Sequence, residues 1–131
     1  MKKWEIITED APFAIGPYSQ AVRAGELVFV SGQLPIDPQT NEMVAGSIAD
    51  MTRRIFNNIE AILLTADSGL GQIVKVTVYL KDLADFAEVN KVFEEVFEAE
   101  PPARETVQVA GLPKDSRIEV SAVAVAKGEG E

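Results

Sequence analysis

The chain has 131 residues, 47% of them apolar and 25% charged, the balance of one soluble globular domain large enough to bury its own core. It contains no cysteine and no histidine, which excludes disulfides, thiolate nucleophiles, Ser-His machinery and the commonest metal ligand. Its net charge of −9 disfavours general nucleic-acid binding, because a phosphate backbone attracts basic surfaces through counterion release.

Acid/base work must then fall to carboxylates, tyrosine, lysine or ordered water. The N-terminal residues run into Glu9 and Asp10 with no apolar h-region, and no apolar stretch is long enough to span a bilayer, so the expected location is the cytoplasm. The whole of 1–131 is expected to form a single domain.

Trp4 to Thr8 reads as a first strand. Asp10 to Pro17 is a connection punctuated by Pro12, Gly16 and Pro17, and it leads into a strand from Ser19 to Ala24. The pair Gly25-Glu26 turns this strand into Leu27–Gln33, a hairpin signature. The second run is apolar on both faces until Ser31-Gly32, so that end has another use. Pro35 to Asn41 reads as a loop.

Ser47 is an N-cap with Asp50 at capping-box spacing. Ile48, Met51, Ile55, Ile59, Ile62, Leu63 and Ala66 follow at helical period, and Gly69 and Gly71 are the expected stop. Ile73 to Leu80 alternates, with Val74, Val76, Val78 and Leu80 on one face. A second helix begins near Asp82 or Asp85, the latter at capping-box spacing from Glu88, with Phe86, Val89, Phe93, Val96 and Phe97 as its stripe. Asn90 falls about 40° from Phe86 on the helical wheel, inside that stripe. A buried amide there must be hydrogen-bonded, either structurally to a loop backbone or within a site.

Pro101 and Pro102 exclude helix and stiffen the approach to a strand that places Arg104, Thr106 and Gln108 on one face. A guanidinium fixed at the start of such a strand is either a carboxylate receptor or an exposed strand-end arginine. After a turn at Gly111–Asp115, the last strand runs from Arg117 to Ala126, with Glu119 and Ser121 on the face opposite Ile118, Val120 and Ala122. Gly128 to Glu131 reads as a frayed acidic tail.

The order βββαβαββ predicts an α+β domain, a mixed and mostly antiparallel sheet with two helices on one face. The other sheet face keeps apolar residues, a physical reason to oligomerise. No phosphate-binding glycine loop, metal-ligand cluster or nucleophile elbow is present, so no cofactor or metal is implied. Tyr18, Ser31-Gly32, Asn90, Arg104 and Glu119 remain, each at an element end or breaking its element's pattern.

Ile15–Gln20, Val30–Pro35, Phe86–Asn90, Pro102–Arg104 and Leu112–Asp115 through Ile118–Val120 together resemble the RidA (YjgF) family, in order over nearly the whole chain. The resemblance implies a chorismate-mutase-like fold, a homotrimer with clefts between subunits, and hydrolysis of reactive enamine and imine acids to 2-keto acids and ammonia. By position it implies that Arg104 binds the substrate carboxylate, that Glu119 positions and activates water, and that Tyr18 lines the pocket. Ser31 and Gly32 would supply cleft wall and backbone contacts, Asn90 support, and Thr106 a small polar wall.

The chain departs from the pattern at Glu105 and Thr106, where many deaminases carry serine and cysteine, and at Ser121, where a second glutamate is frequent. Glu105 alternates to the face opposite Arg104 and need not cancel its charge. Two other functions remain open: a non-catalytic sensor of small metabolites such as 2-keto acids in the same cleft, and the nuclease or translation-inhibitor activity sometimes attached to the family. The acidic balance and missing histidine argue against the latter.

Overall fold

The structure, a computed structural model, describes residues 2–126. Six strands form one sheet: β1 (Lys3–Ile6), β2 (Ala21–Ala24), β3 (Leu27–Gln33), β6 (Ile73–Leu80), β7 (Ala103–Gln108) and β8 (Ile118–Val125). A short hairpin of β4 (Ile36–Asp37) and β5 (Glu42–Met43) precedes helix α1 (Ile48–Thr65), and α2 (Phe86–Val96) joins β6 to β7. The sheet order is β1-β2-β3-β8-β6-β7. Its pairs are antiparallel except β6 with β7, which α2 connects as the crossover that parallel strands require. The expected α+β architecture is therefore present, with the β4–β5 hairpin added inside the stretch read as a loop.

Alternation explains the core. Along β8, Ile118, Val120, Ala122 and Ala124 are buried while Glu119, Ser121, Val123 and Val125 are half-buried on the other side. Val28, Val30, Val76, Val78 and Leu80 join the buried set, and both helices cover that face. From α1 come Ile55, Ile59, Ile62 and Leu63, all fully buried, each worth about 1.5–3 kcal/mol in transfer from water. Phe56 meets Phe93 and Phe97 edge-on at 5.2 and 5.5 Å, which locks α1 against α2. The opposite, open face carries exposed Leu27, Phe29 and Val107, the apolar residues expected there.

Local chemistry sets the element ends, and in several places it differs from the expected reading. Ser47 does cap α1, its Oγ accepting from Asp50 N at 3.1 Å. The helix stops at Asp67, not at Gly69 or Gly71: Asp67 takes φ 61°, Ser68 N donates to Leu63 O at 2.8 Å and Asp67 N to Leu64 O at 3.3 Å. Aspartate tolerates the left-handed conformation well enough to fill the place glycine usually takes. Val74 is exposed and Ile73 buried, because a register irregularity against β8 falls between Ile73 and Lys75. Asp85 does not cap α2; its carboxylate pairs with Arg117 at 2.9 Å, while Asp82 caps the preceding turn through Ala84 N.

β1 and β2 are shorter than expected, and β2 starts only at Ala21. Gly25 sits at φ 61° in the two-residue turn to β3, the left-handed first position of a type II′ hairpin turn. Within β2, buried Arg23 donates to Gly25 O and Ala66 O and lies over the Trp4 ring. Its cation thus meets the negative end of α1. The stretch 128–131 lies outside the described residues.

Candidate active site

The first group of candidate side chains gathers where α2 meets the sheet edge. Arg104 is the second residue of edge strand β7, behind Pro101 and Pro102. The parallel register sets Arg104 beside Val76 and Thr106 beside Val78, so both lie on the helix-covered face. One helix face presents Phe86, Asn90 and Phe93 to the strand. The Arg104 guanidinium carbon stands 4.7 Å from the Phe93 ring centroid and 5.2 Å from that of Phe86.

Aromatic faces attract a cation without neutralising it. None of the ion pairs among the described residues involves Arg104. Glu105 falls opposite Thr77 on the open face and pairs with Lys75 at 3.2 Å, so it leaves the guanidinium charge intact. A groove of about 490 Å³ opens here, walled by Asn90, Phe93, Glu94, Phe97, Pro102 and Arg104. Asn90 Oδ1 is buried in that wall without a hydrogen-bond partner. The amide is thus not tied through this oxygen to a loop backbone, one of the two roles open to it. Gln108, on the Arg104 face of its strand, is used elsewhere: its Oε1 accepts from Leu83 N at 2.9 Å.

A second group forms on the open face, at the other end of the site chemistry. Between Val30 and Gln33, β3 carries two residues against the single Ser121 of β8. Such a bulge re-aims side chains and is common beside active sites. It brings Gly32 under Glu119, and a Cβ built on Gly32 would run into Glu119 Oε2 and lie 2.7 Å from Glu119 Cδ. Any larger residue at 32 would have to displace the Glu119 carboxylate. Glu119 sits beside Tyr79 on β6, half-buried in central strand β8, and burial pushes its carboxyl above the ordinary glutamate range.

Ser31 Oγ donates to Ser19 O at 2.6 Å. Tyr18 lies in the β1–β2 connection, half exposed, with Tyr18 N donating to Gly16 O at 2.8 Å and Tyr18 Oη accepting from Ile15 N at 3.4 Å. Tyr18, Phe13, Gly32, Leu34, Ile36 and Lys114 are among the residues around a small cavity of about 60 Å³. Lys114 reaches it from a turn in which Lys114 and Asp115 take φ 56° and 54°.

One chain therefore brings Arg104, Asn90 and Thr106 together, and separately Tyr18, Ser31, Gly32 and Glu119. The two groups project from opposite faces of one sheet, because residues on alternate positions point away from each other. Neither group resembles a cation site, and no cluster of three or more carboxylates able to hold a metal occurs among the described residues. The platform role of Phe86 and Phe93 was hidden in the sequence, where both read as ordinary apolar stripe. Their spacing from Asn90 is the signal that places all three on one side.

Comparison with known proteins gives four consistent findings. Residues 8–126 match the profile of the family described as Endoribonuclease L-PSP. A RutC family protein of Pyrococcus abyssi is 54% identical over 95% of this chain and 98% of its own length. Reactive Intermediate Deaminase A, chloroplastic, of Arabidopsis thaliana is 44% identical over 95% of this chain and 66% of its own length. Among solved structures, E. coli TdcF with bound serine superposes with a TM-score of 0.90 at 45% identity, covering 95% of this chain and 99% of that one.

Proposed function

The chain belongs to the Endoribonuclease L-PSP family, the YjgF/RidA group, and from that premise we propose that it is an enamine/imine deaminase. Its substrates would be 2-aminoacrylate with its tautomer 2-iminopropanoate, and 2-iminobutanoate; its products are 2-keto acids and ammonia. One observation carries this reading. A cation that no carboxylate neutralises and a carboxylate that burial holds in reserve stand on opposite faces of one sheet. A relative named for reactive intermediate deamination supports it, as does an amino acid bound in the TdcF structure.

In this reading Arg104 donates two hydrogen bonds to the substrate carboxylate, its plane set by Phe86 and Phe93. The iminium carbon at C2 is already electrophilic. Glu119 takes a proton from water as the oxygen attacks C2, and the C=N π electrons move onto nitrogen. That proton then passes to the amino group of the carbinolamine; as the C–N bond breaks with its electron pair leaving on ammonia, the hydroxyl oxygen's lone pair closes the keto carbonyl and its O–H proton goes to Glu119 and on to the ammonia. Water plus iminium acid thus becomes 2-keto acid plus ammonium, with positioning and two relayed protons as the main contributions.

Tyr18 hydrogen-bonds substrate or water, Ser31 and Gly32 form the cleft wall and offer backbone contacts, Asn90 supports with its free Oδ1, and Thr106 is a small polar wall. Because the two groups cannot converge within one chain, a neighbouring copy supplies the missing half, and the assembly proposed is a homotrimer. The proposal sets the reaction in the cytoplasm, where enzymes that release imino acids operate, and leaves no role for nucleic acid. The acidic balance is in keeping with a small substrate rather than a polyanion.

Freshly generated 2-iminopropanoate or 2-iminobutanoate should release pyruvate or 2-oxobutanoate faster with the protein than in buffer. Folded, assembled protein that gives no acceleration ends this reading. The bound serine in TdcF also favours a second reading, a non-catalytic sensor of small acids in the same cleft. Saturable binding of 2-oxobutanoate without any turnover of the imine would select it.

A further inference from the structure

We propose that Gln20 is the positioning residue of the Tyr18 half-site, a clamp that sets Tyr18 relative to the Ser31–Gly32 bulge. This deepens the deaminase reading and rests on it. Gln20 is 3% exposed, and its whole carboxamide is spent on one loop. Oε1 accepts from Thr8 N at 2.8 Å; Nε2 faces Thr8 O at 3.1 Å, Ala11 O at 3.2 Å and Pro12 O at 2.8 Å. Two amide hydrogens shared among three carbonyls use all the donor capacity of the side chain, and the oxygen adds one accepted bond.

The backbone of the same residue faces the other way. Gln20 O accepts from Ser31 N at 3.0 Å, and the neighbouring Ser19 O accepts from Ser31 Oγ. One residue therefore joins the two walls of the small cavity that Tyr18 and Gly32 share with it.

The loop has little else to hold it. Between Ile6 and Ala21 there is no strand or helix; one small apolar side chain, Ala11, is buried in the core, while Ile7, Phe13, Ile15 and Tyr18 all leave much of their surface in solvent. Its other hydrogen bonds are mostly local, such as Tyr18 N to Gly16 O and Asp10 N to Thr8 Oγ1; the exceptions are both at Ser19, whose Oγ donates to Glu5 at 2.9 Å on the β1 side and whose O accepts from Ser31 Oγ. With weak apolar anchoring, the polar clamp decides where Tyr18 stands. A displacement of about 1 Å at a positioned group is enough to cost a reaction about 10²-fold.

The bland alternative is a buried amide that satisfies loop carbonyls and contributes to stability alone. A double-mutant cycle separates the two. Gln20→Met fills the same space and removes all four bonds; it is measured alone, with Tyr18→Phe, and in combination, on turnover of 2-iminobutanoate generated in place. Gln20→Met is expected to lower kcat/KM about tenfold or more in the parent protein and less than about twofold in the Tyr18→Phe background. A loss of folded protein would instead scale both backgrounds equally.

Amide exchange should also quicken at residues 8–18 while β6 and β8 stay protected. Gln20→Glu, which keeps an acceptor for Thr8 N but turns a carboxylate oxygen toward three carbonyls, should behave like Gln20→Met. Additive effects in the cycle, unchanged exchange in the loop, or failure of both variants to fold would each overturn the proposal. If the parent protein shows no turnover at all, the deaminase reading falls, and the same cycle is read on the Kd for 2-oxobutanoate.

Discussion

The Arg104 group and the Glu119 group solve opposite electrostatic problems with opposite materials. Arg104 stands on an edge strand against two phenyl faces, so its charge is oriented by π electrons and stays available to an anion. Glu119 stands on a central strand over a glycine, where desolvation disfavours its charge, and none of the ion pairs among the described residues involves it. Arginine cannot be tuned by burial because it does not lose its proton, so the fold gives it geometry. Glutamate can be tuned, so the fold gives it a dry setting. The fold thus keeps an available charge and a disfavoured charge on opposite faces of one sheet.

The largest expected effects come from removing one half at a time. Glu119→Gln should reduce kcat/KM on 2-iminobutanoate by about 10²–10⁴, the usual contribution of a positioned proton acceptor. Arg104→Ala should cost about 10–10², the worth of a charge-assisted hydrogen bond to substrate, and Arg104→Lys should not restore it because an ammonium cannot stack between rings in the same way. Co-refolding equal amounts of the two single variants should recover about a quarter of the sites, since a cyclic assembly then pairs an intact Arg104 with an intact Glu119 by chance. Absence of any recovery would place both halves in one chain's site and break the comparison at its root.

A smaller effect is expected where the glutamate side is packed. Gly32→Ala adds a methyl where Glu119 Oε2 already lies, and should lower stability by about 1–3 kcal/mol in a urea titration. The equivalent change on the arginine side, Thr106→Ala, removes atoms from a half-buried position and should be milder.

The smallest effect is a pH dependence. The folded-state pKa of Glu119 lies above its unfolded value, so the native protein binds that proton more tightly. Stability linked to it is present below the unfolded pKa and lost as pH rises through the folded one. Glu119→Gln should therefore gain stability over the parent near about pH 8 and lose that advantage below about pH 4, read as urea midpoints. An advantage independent of pH would mean that burial is not what sets this carboxyl apart.

Much of this was readable from residue order alone. The 3.6-residue period of Ile55, Ile59 and Ile62 and the two-residue period of Ile118, Val120 and Ala122 report how many side chains a core must take from each element, and the fold obeys them. Arg104 and Glu119 stood out because each placed a charge where its element's pattern called for something else. What stayed hidden depends on through-space geometry. Nothing in the spacing of Val30 and Gln33 reveals a bulge, since its cause is the partner strand's register. Asp67 ends α1 through a conformation that glycine usually advertises and aspartate does not. Gln20 read as an ordinary polar residue at the start of a strand from Ser19 to Ala24, because a clamp is defined by its four partners and not by its neighbours in sequence.

The buried Arg23 has a consequence for how the molecule comes apart. Strand β1 is a four-residue edge, the kind of element that frays first. Yet Arg23 bonds both the turn of the β1–β2–β3 hairpins at Gly25 and the last carbonyls of α1 at Ala66, with Trp4 of β1 stacked on it. Peeling β1 away would take the Trp4 ring off the guanidinium that stands at the end of the longest helix. The rim of the sheet and the end of the helix that fills the core are thereby linked through one side chain, next to the strands between which the Tyr18 connection runs.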